Sequence, residues 1–163
     1  MVDDPADGAG ERLGASDAVA AVLVLDDGRY LLQQRDDLAR IWYPGHWGCF
    51  GGAVDEGEEP VTALRRELQE ELELDAREPM FFTRFDFDLS ELGLRRYYRS
   101  YYVVGVSAAE RVRLVLHEGQ GMGAFSGDAA LHELRVTPYD AFALFLHHGR
   151  RRIGGGWLRE TAR

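Results

Sequence analysis

Cysteine is almost absent from this chain, and its scarcity excludes a disulfide-stabilised fold. Cys49 is the single cysteine in the sequence, so no disulfide can form within the chain. It stands between Gly48 and Phe50, with no basic residue beside it to favour a thiolate. We therefore expect Cys49 to be a small buried residue rather than a nucleophile.

Long hydrophobic runs are also missing. No apolar stretch is long enough to cross a bilayer. Residues 1–17, MVDDPADGAGERLGASD, are acidic and lack the charged-then-apolar order of a signal peptide. The sequence therefore predicts a cytoplasmic protein that does not use a membrane as a partner.

Basic residues are outnumbered, with 19 Lys and Arg against 28 Asp and Glu, which gives a net charge of −9. Binding to a nucleic-acid backbone needs a basic face, so this balance argues against nucleic acid as a partner but not against a nucleotide held through a metal ion. No internal repeat or low-complexity tract divides the chain. We predict a flexible acidic segment at 1–16, one domain at 17–149 and a basic tail at 150–163, and we leave a homodimer open.

The stretch around which the rest is organised is GAVDEGEEPVTALRRELQEELEL, residues 52–74. Pro60 suits the first position of a helix, and no Gly or Pro interrupts the chain again until Pro79, so we predict a helix from Pro60 to Leu72. At about 100° per residue the helix has two distinct faces. The apolar face consists of Val61, Leu64, Leu68 and Leu72, and the acidic face consists of Glu67, Glu70 and Glu71.

The acidic face predicts a cation site. Like charges at these spacings destabilise an isolated helix by roughly a few tenths of a kcal/mol per pair. Hard divalent cations take oxygen ligands, and Mg²⁺ is usually held by one or two carboxylates together with substrate phosphates. The alternative is a solvated acidic face. The context favours the metal, because Glu58 precedes the helix and Gly52 lets the backbone approach a ligand closely.

Taken together, these positions resemble the Nudix box, G-x5-E-x7-R-E-U-x-E-E-x-G-U, in which U is a bulky aliphatic residue. The matching residues are Gly52, Glu58, Arg66, Glu67, Leu68, Glu70, Glu71 and Leu74. One position departs, since Glu73 stands in place of the second box glycine. A non-glycine residue in the left-handed conformation is strained by roughly 1 kcal/mol or more, so we expect a reshaped turn or a helix that runs on.

This resemblance implies an α/β fold of the Nudix type, an α/β/α sandwich with a mixed β-sheet. It implies a Mg²⁺-dependent pyrophosphohydrolase, with Mn²⁺ as an alternative ion, acting on a nucleoside triphosphate or a nucleotide sugar by water attack at phosphorus. By position, Glu70 and Glu71 would be the principal metal ligands, and Arg66 would orient a carboxylate. The assisting ligands would be Glu67, Glu58 and the Gly52 carbonyl.

Elsewhere the sequence alternates between strands and turns. Residues 18–25, AVAAVLVL, predict a buried strand that turns at 26–28 into a partner at 29–35. We expect a short strand at 47–50, a second hairpin formed by 80–88 and 94–106, and a short helix from about 126 to 134. A last helix is expected to begin at Pro138 and to end at Gly149.

Residues 111–123 offer a candidate for the general base. We expect a strand at 111–117 followed by a mobile loop, since Gly119, Gly121 and Gly123 exclude a helix interior. In some Nudix enzymes the base is a box glutamate, and in others it lies on a loop outside the box. We favour Glu118 over His117, carried to the attacking water by closure of this loop. The alternative is a loop that only shapes the pocket.

Four further residues are candidates for substrate contacts. Trp42 and His46, in the aromatic loop at 36–48, could stack on a base or a sugar, although packing against the core is the commoner role of aromatic residues. Arg84 and Arg99, on the second hairpin, could meet a phosphate. The alternative for Arg99, as for Arg95 and Arg96 on the same strand, is pairing with Asp86 and Asp88.

Three functions stay open from the sequence: a diphosphate hydrolase, a non-catalytic nucleotide-sensing module, and an enzyme like isoprenoid-diphosphate isomerase. The full set of acidic box residues favours the first over the second. The third depends on a catalytic cysteine, for which Cys49 is the one candidate.

Overall fold

The computed structural model of the protein describes residues 15–153. The strands are β1 (Ala18–Leu25), β2 (Tyr30–Gln34), β3 (Trp47–Gly48), β4 (Met80–Phe87), β5 (Tyr97–Val106) and β6 (Gly121–Phe125). The helices are α1 (Pro60–Leu72), α2 (Ala108–Arg111), α3 (Gly127–His132) and α4 (Pro138–Ile153). Both predicted hairpins and the acidic helix are confirmed.

The six strands form one mixed sheet. Its central pair is parallel, β1 beside β5, in register from Ala18 opposite Arg99 to Leu25 opposite Val106. The other pairings are antiparallel: β4 lies beside β5, and β2 pairs with β1, β3 and β6. This mixture of parallel and antiparallel pairs confirms the predicted sheet type.

Helices cover both faces of the sheet. The apolar face of α1 packs through Leu64 and Leu68 onto one side of β1 and β5. Helices α3 and α4 cover the other side, where Ala130 and Leu144 join the second part of the core. Strand β1 is apolar along its whole length because it is buried on both faces. The result is the expected α/β/α sandwich.

The segment between β5 and β6 differs from the prediction. Residues 112–117 form no strand; α2 precedes them and begins with a capping box between Ser107 and Glu110. The amides of Val115 and His117 donate instead to Leu72 O and Glu71 O, carbonyls that the end of α1 leaves free. The backbone amides of this segment therefore bond to free carbonyls at the end of α1 rather than to a neighbouring strand.

The glycine-rich segment is also not a mobile loop, because Gly121–Phe125 forms β6 and pairs with β2 along five residues. An added Cβ at Gly123 would lie 2.7 Å from the Phe125 ring, which packs edge-on against Trp47 at 4.8 Å between centroids. The glycine makes room for close packing inside a strand. Gly121 and Gly123 are therefore strand positions and not, as predicted, part of a mobile loop.

The last helix continues through Gly149 to Ile153, so its predicted end is wrong. The predicted acidic segment at 1–16 and basic tail at 150–163 lie outside the described residues, apart from 15–16 and 150–153. Among the described helices, none combines the length and apolarity needed to traverse a bilayer.

Candidate active site

Gly51 and Gly52, which we call the glycine loop, are held against β1. After β3 the chain runs beside β1, where Ala21 N donates to Phe50 O at 2.8 Å and Val19 N donates to Gly52 O at 2.9 Å. Gly51 has a φ of 131°, and an added Cβ there would collide with the Val19 carbonyl. Only glycine suits this position, because the backbones approach so closely.

Two glutamates of α1 lie directly behind this loop. The Glu71 side chain is 4% exposed and its Oε2 accepts a 2.9 Å hydrogen bond from Gly51 N. The Glu67 carboxylate faces Gly52 so closely that an added Cβ on the glycine would lie 2.5 Å from it. Loop and helix therefore enclose two carboxylates in a space that a larger residue at position 52 would fill.

Burial changes the acidity of both carboxyls. Desolvation raises the pKa of Glu71 to about 8, opposed by the hydrogen bond from Gly51 and reinforced by the negative charges of Glu118 and Glu67. Desolvation also raises the pKa of Glu67, while its bond to Arg66 acts in the opposite direction. A cation would relieve this repulsion, since it favours the charged form of each group.

Arg66 organises the other box carboxylates. Its Nη1 lies 2.7 Å from Glu67 Oε1, and its Nη2 lies 2.9 Å from Glu58 Oε2. It also donates to the Ala53 carbonyl at 3.0 Å, which ties α1 to the glycine loop. The hydrogen bond from Arg66 to Glu58 lowers the pKa of the Glu58 carboxyl. Glu70 is different: its side chain is 61% exposed and lies 3.5 Å from Arg66.

Glu118 reaches the same place from a distant part of the sequence. It lines the cleft beside Gly51 and Gly52. Glu118 is solvent-exposed, and its negative charge raises the pKa of both Glu71 and Glu67. The acidic centre therefore consists of Glu67, Glu71 and Glu118.

An open cleft of about 700 Å³ begins at the glycine loop and extends towards α4. Its walls are largely aromatic: Trp42, Tyr43, Phe85, Phe87, Tyr97, Tyr139 and Phe142. Arg35 and Arg99 are the two basic residues in its lining. An aromatic wall with a few placed polar groups is typical of a small-molecule site.

Arg99 is fixed in this wall by a buried carboxylate. Its Nε lies 3.3 Å from Asp140 Oδ1, and the arginine side chain is 12% exposed. Asp140 is saturated, since Tyr101 Oη, Thr137 Oγ1 and Cys49 N all donate to it at 2.9 Å. The guanidinium also lies 5.0 Å from the Tyr139 ring centroid. The predicted pairing of Arg99 with Asp86 or Asp88 is therefore wrong.

Of the remaining candidates for substrate contact, one lies in the cleft and two lie outside it. Trp42 lines the cleft. His46 does not, and its Nδ1 lies 3.0 Å from Pro44 O. Arg84 lies outside the cleft, bonded to Asp86 at 2.6 Å and stacked over Tyr98 at 3.9 Å.

Sequence reasoning missed several cleft residues, among them Arg35, Tyr139 and Phe142. Arg35 follows β2, and the two aromatic residues lie in the first turns of α4. The sequence does contain a signal for Arg35, because this arginine ends the predicted strand at 29–35 and directly precedes the aromatic loop at 36–48. No local pattern connects α4 with the glycine loop, because only the tertiary fold brings them together.

The donor chemistry fits a hard divalent cation. Within residues 15–153, no three Asp, Glu, His or Cys side chains converge closely enough to hold a metal ion by themselves. Mg²⁺ does not require such a cage, because it keeps water ligands and binds substrate phosphates. Glu67, Glu71 and Glu118, together with the Gly52 carbonyl, offer only oxygen atoms as ligands.

Glu73 retains the turn of the family glycine. It adopts φ 56° and ψ 29°, the left-handed region, and its amide and that of Leu74 close the helix onto Gln69 O and Leu68 O. The expectation of a reshaped turn or a longer helix is therefore wrong. The conformation costs roughly 1–2 kcal/mol for a residue with a Cβ, and the Glu73 side chain lies 2.8 Å from His117 Nε2.

Cys49 is buried, as predicted, at 3% exposure. Desolvation raises the pKa of its thiol well above the ordinary value, with the Asp140 charge acting in the same direction. It packs in the core on the α4 side of the sheet. An isomerase-like chemistry that depends on a reactive thiol has no support from this residue.

The raised pKa of Glu71 predicts how the metal-free fold responds to pH. Because the folded-state pKa of about 8 exceeds the ordinary 4.5, protonation of the Glu71 carboxyl favours the folded state. This contribution to the free energy of unfolding is fully present below about pH 4.5 and is lost as pH rises through about 8. The shift corresponds to on the order of 5 kcal/mol, or roughly 10–20 °C in Tm. Thermal unfolding in chelator from pH 5 to 9 should show a steeper decline in wild type than in Glu71→Gln. Parallel curves, with Glu59→Gln as the exposed control, would contradict it.

Comparison with known proteins agrees with this geometry. A family model described as NUDIX domain matches residues 15–153. Nucleoside triphosphatase NudI of Escherichia coli is 43% identical over 54 residues, which cover 33% of this chain and 38% of that protein. The NudI protein of Shigella sonnei matches with the same identity and coverage. The chain thus aligns with well under two thirds of these relatives' length.

Solved structures show the same architecture. A MutT protein from Methanosarcina mazei Go1 has a TM-score of 0.68 and 20% identity, covering 88% of this chain and 99% of that one. The E. coli ORF135 protein has a TM-score of 0.69 and 25% identity, covering 89% and 96%. The E. coli dihydroneopterin triphosphate pyrophosphohydrolase has a TM-score of 0.61 and 21% identity, covering 81% and 94%.

Proposed function

Because the chain belongs to the NUDIX domain family, whose model matches residues 15–153, we propose that it hydrolyses phosphoric anhydrides. Its substrate is a nucleoside triphosphate or a nucleotide sugar, cleaved at the diphosphate linkage with Mg²⁺ bound. The observation that carries this proposal is one cleft with two chemically different ends. Carboxylates gather at Gly51 and Gly52, and aromatic side chains with two arginines line the rest.

The acidic end supplies the groups for the reaction. When bound, Mg²⁺ neutralises the phosphate oxygens and polarises the phosphorus for attack. Glu67, Glu71 and the Gly52 carbonyl would hold it, with the exposed Glu70 at the rim. Arg66 fixes Glu67 and Glu58 through bonds of 2.7 and 2.9 Å. Glu118 accepts the proton of the attacking water as general base.

The aromatic end supplies the substrate class. Trp42, Tyr97 and Tyr139 offer faces on which a base or a sugar can stack. Arg99 is held rigidly by Asp140, so its guanidinium is oriented towards an anionic or carbonyl oxygen before substrate arrives. The relatives named for nucleoside triphosphatase activity support a triphosphate. Nucleotide and phosphate both fit a cleft of this size and charge.

The test is a substrate panel. Nucleoside triphosphates, nucleotide sugars and dinucleoside polyphosphates are incubated with Mg²⁺, and phosphate release is coupled to a pyrophosphatase or a phosphatase. We expect turnover of at least one triphosphate or nucleotide sugar, restored by Mg²⁺ or Mn²⁺ after chelation. Full activity in excess chelator, or tight nucleotide binding with no turnover under any cation, would overturn the proposal; the second result would indicate a sensing module.

Arg99 and Arg84 provide a matched pair for testing the substrate wall. Arg99→Lys keeps a positive charge beside Asp140 but loses the planar guanidinium, so we expect KM to rise roughly tenfold with little change in kcat. Arg84→Lys changes an arginine outside the cleft and should leave KM within about twofold. Steady-state kinetics on the best panel substrate measures both, and an equal effect of the two variants would remove Arg99 from the substrate wall.

A further inference from the structure

We propose that Glu73 is a positioning residue that, through His117, holds Glu118 in the acidic centre. The inference rests on the proposed function for its catalytic consequence but not for its structural one. Glu73 occupies the position where the family motif has a glycine, and it keeps the left-handed turn at φ 56°. The side chain that the glycine would lack reaches the segment that carries Glu118.

The first observation is the way residues 115–117 dock on the end of α1. Val115 N donates to Leu72 O at 3.2 Å, and His117 N donates to Glu71 O at 2.9 Å. His117 Nε2 then lies 2.8 Å from Glu73 Oε1. Two backbone bonds and one side-chain bond thus attach this segment to the last turn of the helix that also carries Glu71.

The second observation is that Glu118 is held on its other side as well. Its carbonyl accepts a 2.9 Å hydrogen bond from the buried Gln33 Nε2, and Gln120 N donates to Gln34 O at 2.8 Å. Gly119 lies so close to β2 that an added Cβ would be 2.6 Å from Gln34 O. Glu118 is therefore suspended between β2 and the end of α1.

The two attachments differ in kind. On the β2 side the attachment includes the buried Gln33 and continues into β6, whereas both partners of the Glu73–His117 pair are about half exposed. The helix side is consequently the weaker attachment and the one that a single side chain can alter. Exposed pairs of this kind shift a local equilibrium by about two- to fivefold. We expect an effect of that size on how often the Glu118 carboxylate occupies the acidic centre.

The variants separate the Glu73–His117 contact, which we call the latch, from the left-handed turn at Glu73. Glu73→Asn tolerates the left-handed conformation but is too short to reach His117. Glu73→Gln keeps an acceptor at the same reach. His117→Ala removes the other partner, and the double variant Glu73→Asn with His117→Ala completes a cycle. Thermal unfolding of each confirms that the fold persists.

Amide hydrogen exchange in the metal-free protein measures the latch directly. We expect the protection of the Val115 and His117 amides to fall about two- to fivefold in Glu73→Asn and in His117→Ala, with no further fall in the double variant. Amides inside α1, such as that of Leu68, serve as the internal reference. Glu73→Gln should retain most of the protection. Unchanged protection in both single variants, or additive losses in the double variant, would overturn the latch.

The kinetic arm tests the consequence for Glu118. In Glu73→Asn we expect kcat to fall about two- to fivefold while KM for the nucleotide stays constant, and Glu73→Gln to restore kcat. If Glu73 were merely structural, Glu73→Asn would lower Tm, but kcat would not fall at constant KM and Glu73→Gln would not restore kcat. If wild type turns over nothing on the panel, the proposed function fails, whereas hydrogen exchange still decides whether Glu73 positions the segment.

Discussion

Glu71→Gln is expected to lower kcat by more than about 100-fold while the protein remains folded. Substitutions of groups that merely support a metal ligand cost about 10–100-fold, so loss of a ligand should cost more. The amide has nearly the same shape and retains an oxygen to accept the 2.9 Å bond from Gly51 N. Removing a buried carboxyl whose pKa is raised to about 8 should not reduce the stability of the metal-free protein at neutral pH.

The measurement is steady-state turnover with saturating Mg²⁺, beside Tm in chelator. Glu59→Gln is the matched control, because Glu59 is an exposed carboxylate that caps the same helix without a side-chain bond. We expect it to keep wild-type turnover. Wild-type rates in Glu71→Gln would favour a site that binds nucleotide without hydrolysing it.

Glu118→Gln is expected to lower kcat by roughly 10²–10⁴-fold, the range for loss of a general base, with a small change in KM. The amide cannot accept a proton from water, although it fills the same space beside Gly51 and Gly52. The pH–rate profile should lose its acidic limb in this variant, because that limb reports ionisation of the base.

His117→Ala and Glu67→Gln complete this comparison. His117 lies outside the cleft against Glu73, so its variant should lose only the few-fold activity expected from a positioning contact. Glu67→Gln should weaken metal binding and shift the Mg²⁺ concentration needed for half-maximal rate. If the acidic limb disappears only in Glu67→Gln, the base lies within the box and Glu118 serves a different role.

The acidic helix and the core strands could be predicted from the sequence because their signals are local. Pro60 opens α1, and Leu64 and Leu68 recur at the helical period and form its buried face. The continuous apolar run at 18–25 predicts β1 because both faces of that strand are covered. In both elements the pattern of apolar residues along the sequence follows the pattern of burial, so the sequence alone predicts them.

The segment from 111 to 125 could not be predicted in the same way, since its conformation depends on distant partners. Val115 and His117 bond to the end of α1 rather than to a strand. Gly123 reads locally as a flexible position, yet it faces the Phe125 ring within a paired strand. A glycine that relieves crowding and one that permits motion have the same sequence signature.

The substrate wall shows a similar limit. Arg99 and Asp140 are 41 residues apart and meet only when α4 packs on β5. Nearer acidic residues on the hairpin make a local pairing look sufficient, but Asp86 and Asp88 are taken by Arg84 and Arg96. Which partner an arginine chooses is decided by burial, and a single sequence does not encode burial for polar side chains as clearly as for apolar ones.

The central claim is that Glu67, Glu71, Glu118 and the Gly52 carbonyl form one metal-dependent centre. The most direct measurement is a crystal structure of the protein with Mn²⁺ and a non-hydrolysable nucleoside triphosphate analogue, with Mn²⁺ located by anomalous scattering. The account predicts a Mn²⁺ peak within about 2.5 Å of carboxylate oxygens of Glu71 and Glu67, with the base of the analogue against the aromatic wall. A Mn²⁺ peak only at the surface carboxylates Asp86 and Asp88, or an analogue bound away from Gly52, would contradict it.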